Sequence, residues 1–305
     1  MSSRVVYMAG QWVPEAEARV SIYDLSVMQA AAAFEMTRSF RGVTFRLSEH
    51  IERLANSCTL LGIDLPLSTP EIIVLCHEVQ ERNQPAMQPD DEHRLLIVVS
   101  PGAAPIYHEI DGVQKSSWLY IADFPLRFTV QGMGKYFTEG VHCVTSQIQQ
   151  VPDACVSSQA KHRSRLHFHL AQQQAPAGTW PLMQWMDIDG TTWYAEAPGA
   201  NLVTVQNGGA YFSPYHALPG ISLETVRALT MAGISQPRYT FSSADELWLT
   251  GTPFCMLPVV SLDGQPIGNG KIGPVYKQTL AKWSESVGVD IAAQIQAWDG
   301  ASVCR

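Results

Sequence analysis

An α+β fold in two domains is predicted by three features of the sequence. Short apolar runs with period two are broken by tight-turn pairs, Ala9-Gly10 and Arg41-Gly42 among them, which is the pattern of antiparallel hairpins. A few helical patterns stand between these runs, with little regular alternation of strand, helix and parallel strand. Near the middle the pattern weakens to PLRFTVQGMGKYFTEG, which reads as a linker. The expected organisation is a smaller N-terminal domain over 1–125, a linker over 126–140 and a larger C-terminal domain over 141–305.

In the first domain, VVYM and QWV flank one turn, and FEMTRSF and VTFRL flank the next as a second hairpin. Ser48 is the expected N-cap of a helix through SEHIERLANSCTLLGI. Ile51, Leu54, Cys58 and Leu61 recur there at helical spacing, and Pro66 closes the segment. Thr69-Pro70 supplies an N-cap and first helical residue for a second helix that buries Ile72, Leu75, Cys76 and Val79. RLLIVVS and SWLYIADF complete the sheet. The second domain is expected to run through a strand VHCVTSQI, a helix from about His162 to Gln174, and hairpins MDIDGTTWYAE and NLVTVQNGGAYFS. A helix after LPGIS, a strand ELWLTG, a hairpin VVSLDGQPI and a final helix VYKQTLAKWSESVG follow.

At 305 residues, with 46% hydrophobic and 16% charged residues, the chain is long enough for two real cores. Its 28 acidic against 20 basic residues include no basic run, so no nucleic-acid or anionic-membrane footprint is expected. The N-terminal stretch has no apolar h-region and no segment reaches a membrane-spanning length, so a cytoplasmic protein is expected. Cys58, Cys76, Cys143, Cys155, Cys255 and Cys304 are scattered without CxxC pairs and read mostly as buried free thiols. His162, His167 and His169 are spaced by five and two, which splits them between helix faces, and no metal is expected.

Two residues carry the chemistry. Lys161, in SSQAKHRSRL, has no acidic neighbour in sequence, so it suits desolvation into a neutral, nucleophilic amine. Glu196, in YAEAPGANLVTV, is a carboxylate on a separate strand that suits the far end of a flat heteroaromatic cofactor. The pair suggests a pyridoxal phosphate site. Of six lysines, Lys277 and Lys282 lie on the polar side of the last helix, and Lys271, Lys135 and Lys115 fall in turns or the linker. Spacing alone still leaves Lys161 as either a cofactor lysine or a surface lysine.

A dianionic phosphate calls for helix N-terminal amides, hydroxyls and a guanidinium. Arg53 lies off the Ile51, Leu54 and Cys58 stripe, so it is either solvated or aimed at a ligand. Ile221 and Ser222 open a helix after Pro219-Gly220, which is either a phosphate cradle or only a well-capped helix. Thr252, in TGTP, sits at a strand end. Gly268, Gly270 and Gly273 spell GxGxxG, yet the remaining chain is too short for a dinucleotide-binding unit, so they read as a turn.

The chain resembles the class IV aminotransferases, the fold-type IV pyridoxal phosphate enzymes that include branched-chain and D-amino acid aminotransferases and aminodeoxychorismate lyase. The resemblance runs in order through FEMTRSFRGVTFRLSEHIERLANSC, AKHRSRL, YAEAPGANLVTV, LPGIS, ADELWLTGTP and MLPVVSLDGQPIGNGKIGPV. It implies Lys161 as the Schiff-base lysine and proton shuttle, and Glu196 as partner of the protonated pyridine nitrogen. Arg53, Ile221, Ser222 and Thr252 would hold the phosphate, and Asn201 would stand behind Glu196. Phe34 would line the substrate side. The family implies ping-pong transfer between an amino donor and a keto acid acceptor, and usually a homodimer.

Departures from the family pattern fall on the substrate side. QAAAAFE stands where the family reads YGDGVFE, exchanging glycines for alanines. His108 is kept in PGAAPIYH, but Ile106 replaces the arginine that clamps a carboxylate in the D-amino acid branch. Pro253 has no N–H to offer such a group, and Leu166 stands where an aromatic hydroxyl often follows the lysine. KH and RL in the lysine block resemble the lyase branch, whereas Met36, in place of its threonine, has no proton to give. Transamination is the expected activity; pyruvate-releasing lyase chemistry and a cofactor-binding homologue without turnover are the alternatives.

Overall fold

The computed structural model describes residues 4–212, 215–230 and 241–299. The chain divides into two compact units, Met1–Thr129 with Ala160–Arg165, and Val130–Gln159 with Leu166–Arg305.

The first unit is built on five antiparallel strands in the order Gln11–Pro14, Val5–Met8, Trp118–Pro125, His93–Ser100 and Ala33–Met36. Period-two alternation decides its two faces. Leu95, Ile97, Val99, Leu119 and Ile121 point to one side, where they meet Ile51, Leu54 and Cys58 of helix Leu47–Leu61 and Ile72, Cys76 and Val79 of helix Thr69–Asn83. Each fully buried Leu or Ile there contributes about 1.5–3 kcal/mol. Phe34, Val98 and Ala32 point to the other face, with Met36, Leu96 and Tyr120 beside them.

Local details depart from the expected caps. Helix Leu47–Leu61 starts one residue before Ser48, after a left-handed Arg46 with φ of 51°, because Leu47 belongs to the core and Ser48 is exposed. Ser68, rather than Thr69, caps the next helix, in a capping box with Glu71. FEMTRSF does not form one arm of a hairpin. Ala33–Met36 pairs with His93–Ser100, and the Arg41-Gly42 turn joins only the short strands Ser39–Phe40 and Val43–Thr44.

The second unit carries an eight-stranded sheet whose main path runs Glu196–Ala197, Ala200–Gln206, Glu246–Gly251, Cys255–Leu262, Val141–Thr145 and Thr179–Leu182. The pairings of Val141–Thr145 with its two neighbours are parallel; the others are antiparallel. Helices Ile221–Thr230 and Pro274–Val287 pack beside strand Glu246–Gly251. A further helix, Ile291–Asp299, follows the one expected to be last.

Residues 126–140 contain two short helices, Arg127–Val130 and Tyr136–Glu139, and the division between units falls within them. The amides of Gly132 and Gly134 donate to the Asp299 carboxylate at 2.6 and 2.8 Å. Ala160–Arg165 belongs with the first unit, although the sequence reading grouped it with the second half and began a helix at His162. The backbone gives the reason. Phe34 N–H donates to Lys161 O and Arg163 N–H to Ala32 O, both at 3.0 Å, so residues 161–163 extend along the open edge of strand Ala33–Met36. The helix starts only at Leu166.

The glycine turn before helix Pro274–Val287 has a structural role. Glu246 accepts from the Val275 and Tyr276 amides at 2.9 and 2.8 Å, filling the helix N-terminus with a protein carboxylate. A Cβ on Gly273 would strike that carboxylate, which is why glycine stands there. Cys58, Cys76, Cys143 and Cys255 are buried free thiols and Cys155 is exposed, while Cys304 lies outside the described residues. No described helix is long and apolar enough to cross a membrane.

Candidate functional site

In the first unit the chemistry gathers around the edge strand. Lys161 is half-buried, its N–H donates to Ser57 Oγ at 3.0 Å, and its Nζ lies 4.8 Å from the Phe34 ring centroid. Ser57 is fully buried and donates its own hydroxyl to Arg53 O at 2.8 Å. One side chain therefore ties the lysine's backbone to the helix turn that presents the arginine. Arg53 and Ser57 are four residues apart and share a helix face.

Arg53 is not solvated. At 8% exposure it donates to both Glu35 oxygens, Nε to Oε1 at 2.6 Å and Nη2 to Oε2 at 2.9 Å. His50, also fully buried, brings Nδ1 to 2.8 Å from Glu35 Oε2. Burial pushes the Glu35 carboxyl up, but the Arg53 and His50 charges and hydrogen bonds outweigh it and hold Glu35 well below the usual carboxylate range. Burial lowers His50 in its turn, and the charge and hydrogen bond of Glu35 oppose that fall. Glu35 and His50 sit inside the sequence block that carries Arg53, but their pairing needs a strand laid against a helix, which spacing does not reveal.

Phe34 is 3% exposed on the same strand, and Met36 is half-buried two residues on. Arg94, in the facing strand, is buried with only Thr37 O at 3.3 Å and Met36 Sδ at 3.7 Å as partners, and its Nε has none. Among the described residues no carboxylate pairs with it, and burial, with Arg38 nearby, pulls its guanidinium down to about 9. Ile106 is 81% exposed in the turn Pro105–Tyr107, and His108 places Nε2 3.0 Å from Ala103 O, so neither is among the residues that hold Lys161.

In the second unit the polar groups form a row. Glu196 lies opposite Asn201, and Asn201 opposite Thr250, so the three side chains share one face of the sheet. Glu196 is 8% exposed; Oε1 accepts from Gln150 Nε2 at 2.7 Å and Oε2 from Leu218 N–H at 3.2 Å. Asn201 donates to Leu218 O at 2.7 Å, and its Oδ1 occupies the place that a Cβ on Gly220 would take. Asn201 thereby clasps the turn that leads into helix Ile221–Thr230. Ser222 is buried in the first turn of that helix, beside a buried Ile221. Thr252 and Pro253 are half-buried in the turn after strand Glu246–Gly251.

These residues suit a phosphorylated pyridine cofactor. Thr250 Oγ1 is buried without a hydrogen-bond partner, a cost of about 1–3 kcal/mol that a polar ligand would relieve. Helix Ile221–Thr230, in the second unit, begins with N-terminal amides of the kind that suit an anion. The sequence reading missed Gln150, Ser57, Thr250, Glu35 and His50 as supporting residues. Only the FE and HxxR pairs within the quoted blocks were available signals for them.

The family model for amino-transferase class IV matches residues 32–262. A putative branched-chain-amino-acid aminotransferase of Methanocaldococcus jannaschii is 28% identical over 289 residues, covering 92% of this chain and 95% of the relative. A D-alanine aminotransferase of Staphylococcus aureus is 24% identical over 285 residues, covering 90% and 94%. Among solved structures, the Escherichia coli branched-chain amino acid aminotransferase superposes with a TM-score of 0.79 at 21% identity, covering 93% of this chain and 94% of that one. The fold is thus that of this aminotransferase, and with the family model spanning most of the sequence, the chain belongs to the class IV aminotransferases.

Proposed function

We propose that Lys161 is the Schiff-base lysine of a pyridoxal phosphate-dependent transaminase, with Glu196, Asn201, Arg53, Ile221, Ser222 and Thr252 as cofactor-binding residues. The transferase activity itself follows from the family: the protein is an enzyme that moves amino groups between amino acids and keto acids. The observation that carries the assignment is the Ser57 link, which fixes the Lys161 backbone to the helix turn presenting Arg53.

Bound pyridoxal phosphate supplies the carbonyl that takes up the substrate amine and the ring that accepts negative charge from the α-carbon. Lys161 Nζ, over the Phe34 ring, holds and returns the proton moved at that carbon. Glu196 provides a fixed negative charge for the ring-nitrogen proton, and Gln150 and the Leu218 amide orient that carboxylate. Arg53, oriented by Glu35, would be the guanidinium donor to phosphate, and in the second unit the amides of Ile221 and Ser222 and the hydroxyls of Ser222 and Thr252 would be the phosphate-binding groups. A homodimer in the cytoplasm is the proposed setting, supported by the family resemblance and by four buried free thiols.

Borohydride reduction followed by peptide mapping tests the assignment. A yellow protein with the reduced cofactor on Lys161 is expected; label on another lysine, or none, refutes it. Glu196→Gln keeps the side-chain shape and removes the charge. It is expected to lower the amino-donor half-reaction rate by about 10²–10³-fold, read by stopped-flow absorbance with the cofactor still bound.

The unpaired Arg94 supports a dicarboxylic amino acid as one of the two substrates, since a second carboxylate would neutralise a buried guanidinium. A solved branched-chain amino acid aminotransferase that shares the fold is known complexed with N-(5'-phosphopyridoxyl)-L-glutamate. Arg94→Leu is expected to raise KM for glutamate and 2-oxoglutarate by about 10–100-fold and to leave KM for monocarboxylic partners nearly unchanged. Equal effects on both classes in steady-state assays would sink this reading.

A further inference from the structure

Arg163 stands two residues beyond Lys161, on the stretch that lies against strand Ala33–Met36. Its N–H donates to Ala32 O at 3.0 Å, and its guanidinium carbon lies 4.2 Å from the centroid of the Phe34 ring that carries Lys161 Nζ at 4.8 Å. Phe34 lies opposite Val98, and Val98 opposite Tyr120, so the three share one transverse row on the face away from the helices. Burial raises the Tyr120 hydroxyl, and the charge and hydrogen bond of Arg163 partly offset that rise, so the guanidinium acts along this row. Arg94 belongs four residues along its strand from Val98, about 13 Å away at strand rise.

Among the described residues no carboxylate pairs with Arg163, and it is only half-buried. Unlike Arg94, none of its nitrogens is sealed without a partner. A guanidinium stacked on a ring still directs its N–H donors outward in its own plane, where a carboxylate takes two of them. Arg165, 5.7 Å from the same centroid, already supplies a second cation to that ring. Stacking alone therefore gives Arg163 no distinct purpose.

We propose that Arg163 binds the α-carboxylate of the amino substrate, which makes the donor an amino acid rather than a simple amine. In an α-amino acid one carbon separates amine from carboxylate, so a substrate with its amine at Lys161 Nζ needs only a short span to the guanidinium over the same ring. This anchor replaces two that the chain lacks, with Ile106 exposed in its turn and Pro253 without an N–H. The proposal rests on Lys161 as the Schiff-base lysine.

The test compares wild type, Arg163→Leu and Arg163→Lys as holoenzymes. Borohydride labelling at Lys161 is read first in all three. Label absent from wild type overturns the lysine assignment and the proposal with it; label retained in all three isolates the role of Arg163. Binding of 4-methylvalerate is then titrated through the visible band, and half-reactions are run with an amino acid panel and with 1-phenylethylamine, which has no carboxylate. In Arg163→Leu the Kd for 4-methylvalerate is expected to rise about 10–100-fold, on the scale of a hydrogen bond to a charged group. The amino acid half-reactions fall by a similar factor, the amine reaction is unchanged relative to wild type, and Arg163→Lys recovers part of the loss. Unchanged 4-methylvalerate binding overturns the proposal, as does an equal loss for amino acids and the amine. A wild type that converts 1-phenylethylamine but no amino acid does so too.

Discussion

Lys161→Ala is expected to lower turnover by about 10⁴–10⁶-fold, the scale set by removing a covalent nucleophile that also carries the proton, which is the role proposed for this lysine. The same change should leave the backbone anchorage of residue 161 in place. Its N–H donates to Ser57 Oγ and its carbonyl accepts from Phe34 N–H, and both bonds survive in alanine. The side chain's cation–π contact with Phe34 is worth about 0.5–1 kcal/mol at a half-exposed site. Single-turnover absorbance with saturating donor reads the first effect, and urea denaturation reads the second. Substantial residual turnover would show that another group takes the proton. A large loss of stability would show that the amine is structural.

Glu35→Ala is expected to destabilise the protein by about 3–5 kcal/mol, because it leaves the buried Arg53 guanidinium without its carboxylate. His50 loses the acceptor for Nδ1 in the same step. On the proposed role of Arg53 as a phosphate ligand, cofactor affinity should fall as well, since the guanidinium would no longer be held by Glu35, and dialysis against buffer without cofactor measures that loss. The carboxyl of Glu35 sits below its unfolded value of about 4.3. Its contribution to stability is therefore complete above that value and is lost as pH falls below it. Glu35→Gln removes this dependence. Denaturation midpoints of wild type and Glu35→Gln should differ at pH 7 by a constant amount down to about pH 5, and begin to converge only as pH falls below about 4, with part of the difference still present at about pH 3. Parallel curves would show that folding does not lower the Glu35 carboxyl.

Most elements were legible from periodicity and turn chemistry, because both act over a few neighbouring residues. The Ala9-Gly10 pair marks a hairpin on its own, since both residues take positive φ, 49° and 84°. The stripe Ile51, Leu54 and Cys58 marks a buried helix face for the same local reason. Caps proved less legible. Ser48 and Thr69 are good capping residues in isolation, yet the burial of Leu47 and the reciprocal bonds of Ser68 and Glu71 decide where those helices begin.

The α+β class, a cofactor lysine candidate at Lys161, the carboxylate at Glu196 and the ordered blocks of the class IV family can all be read from residue order. Those are properties of residue type and local order. The tertiary structure alone decided that Lys161 lies along the edge of strand Ala33–Met36, that Arg53 is oriented by Glu35 and His50, and that Glu196, Asn201 and Thr250 form one row. It also brought Arg163 onto the ring that carries Lys161. Each of these depends on pairing between segments far apart in the chain. Strand register and the docking of a helix on a sheet set such pairings, and no local pattern encodes which carboxylate will face which arginine.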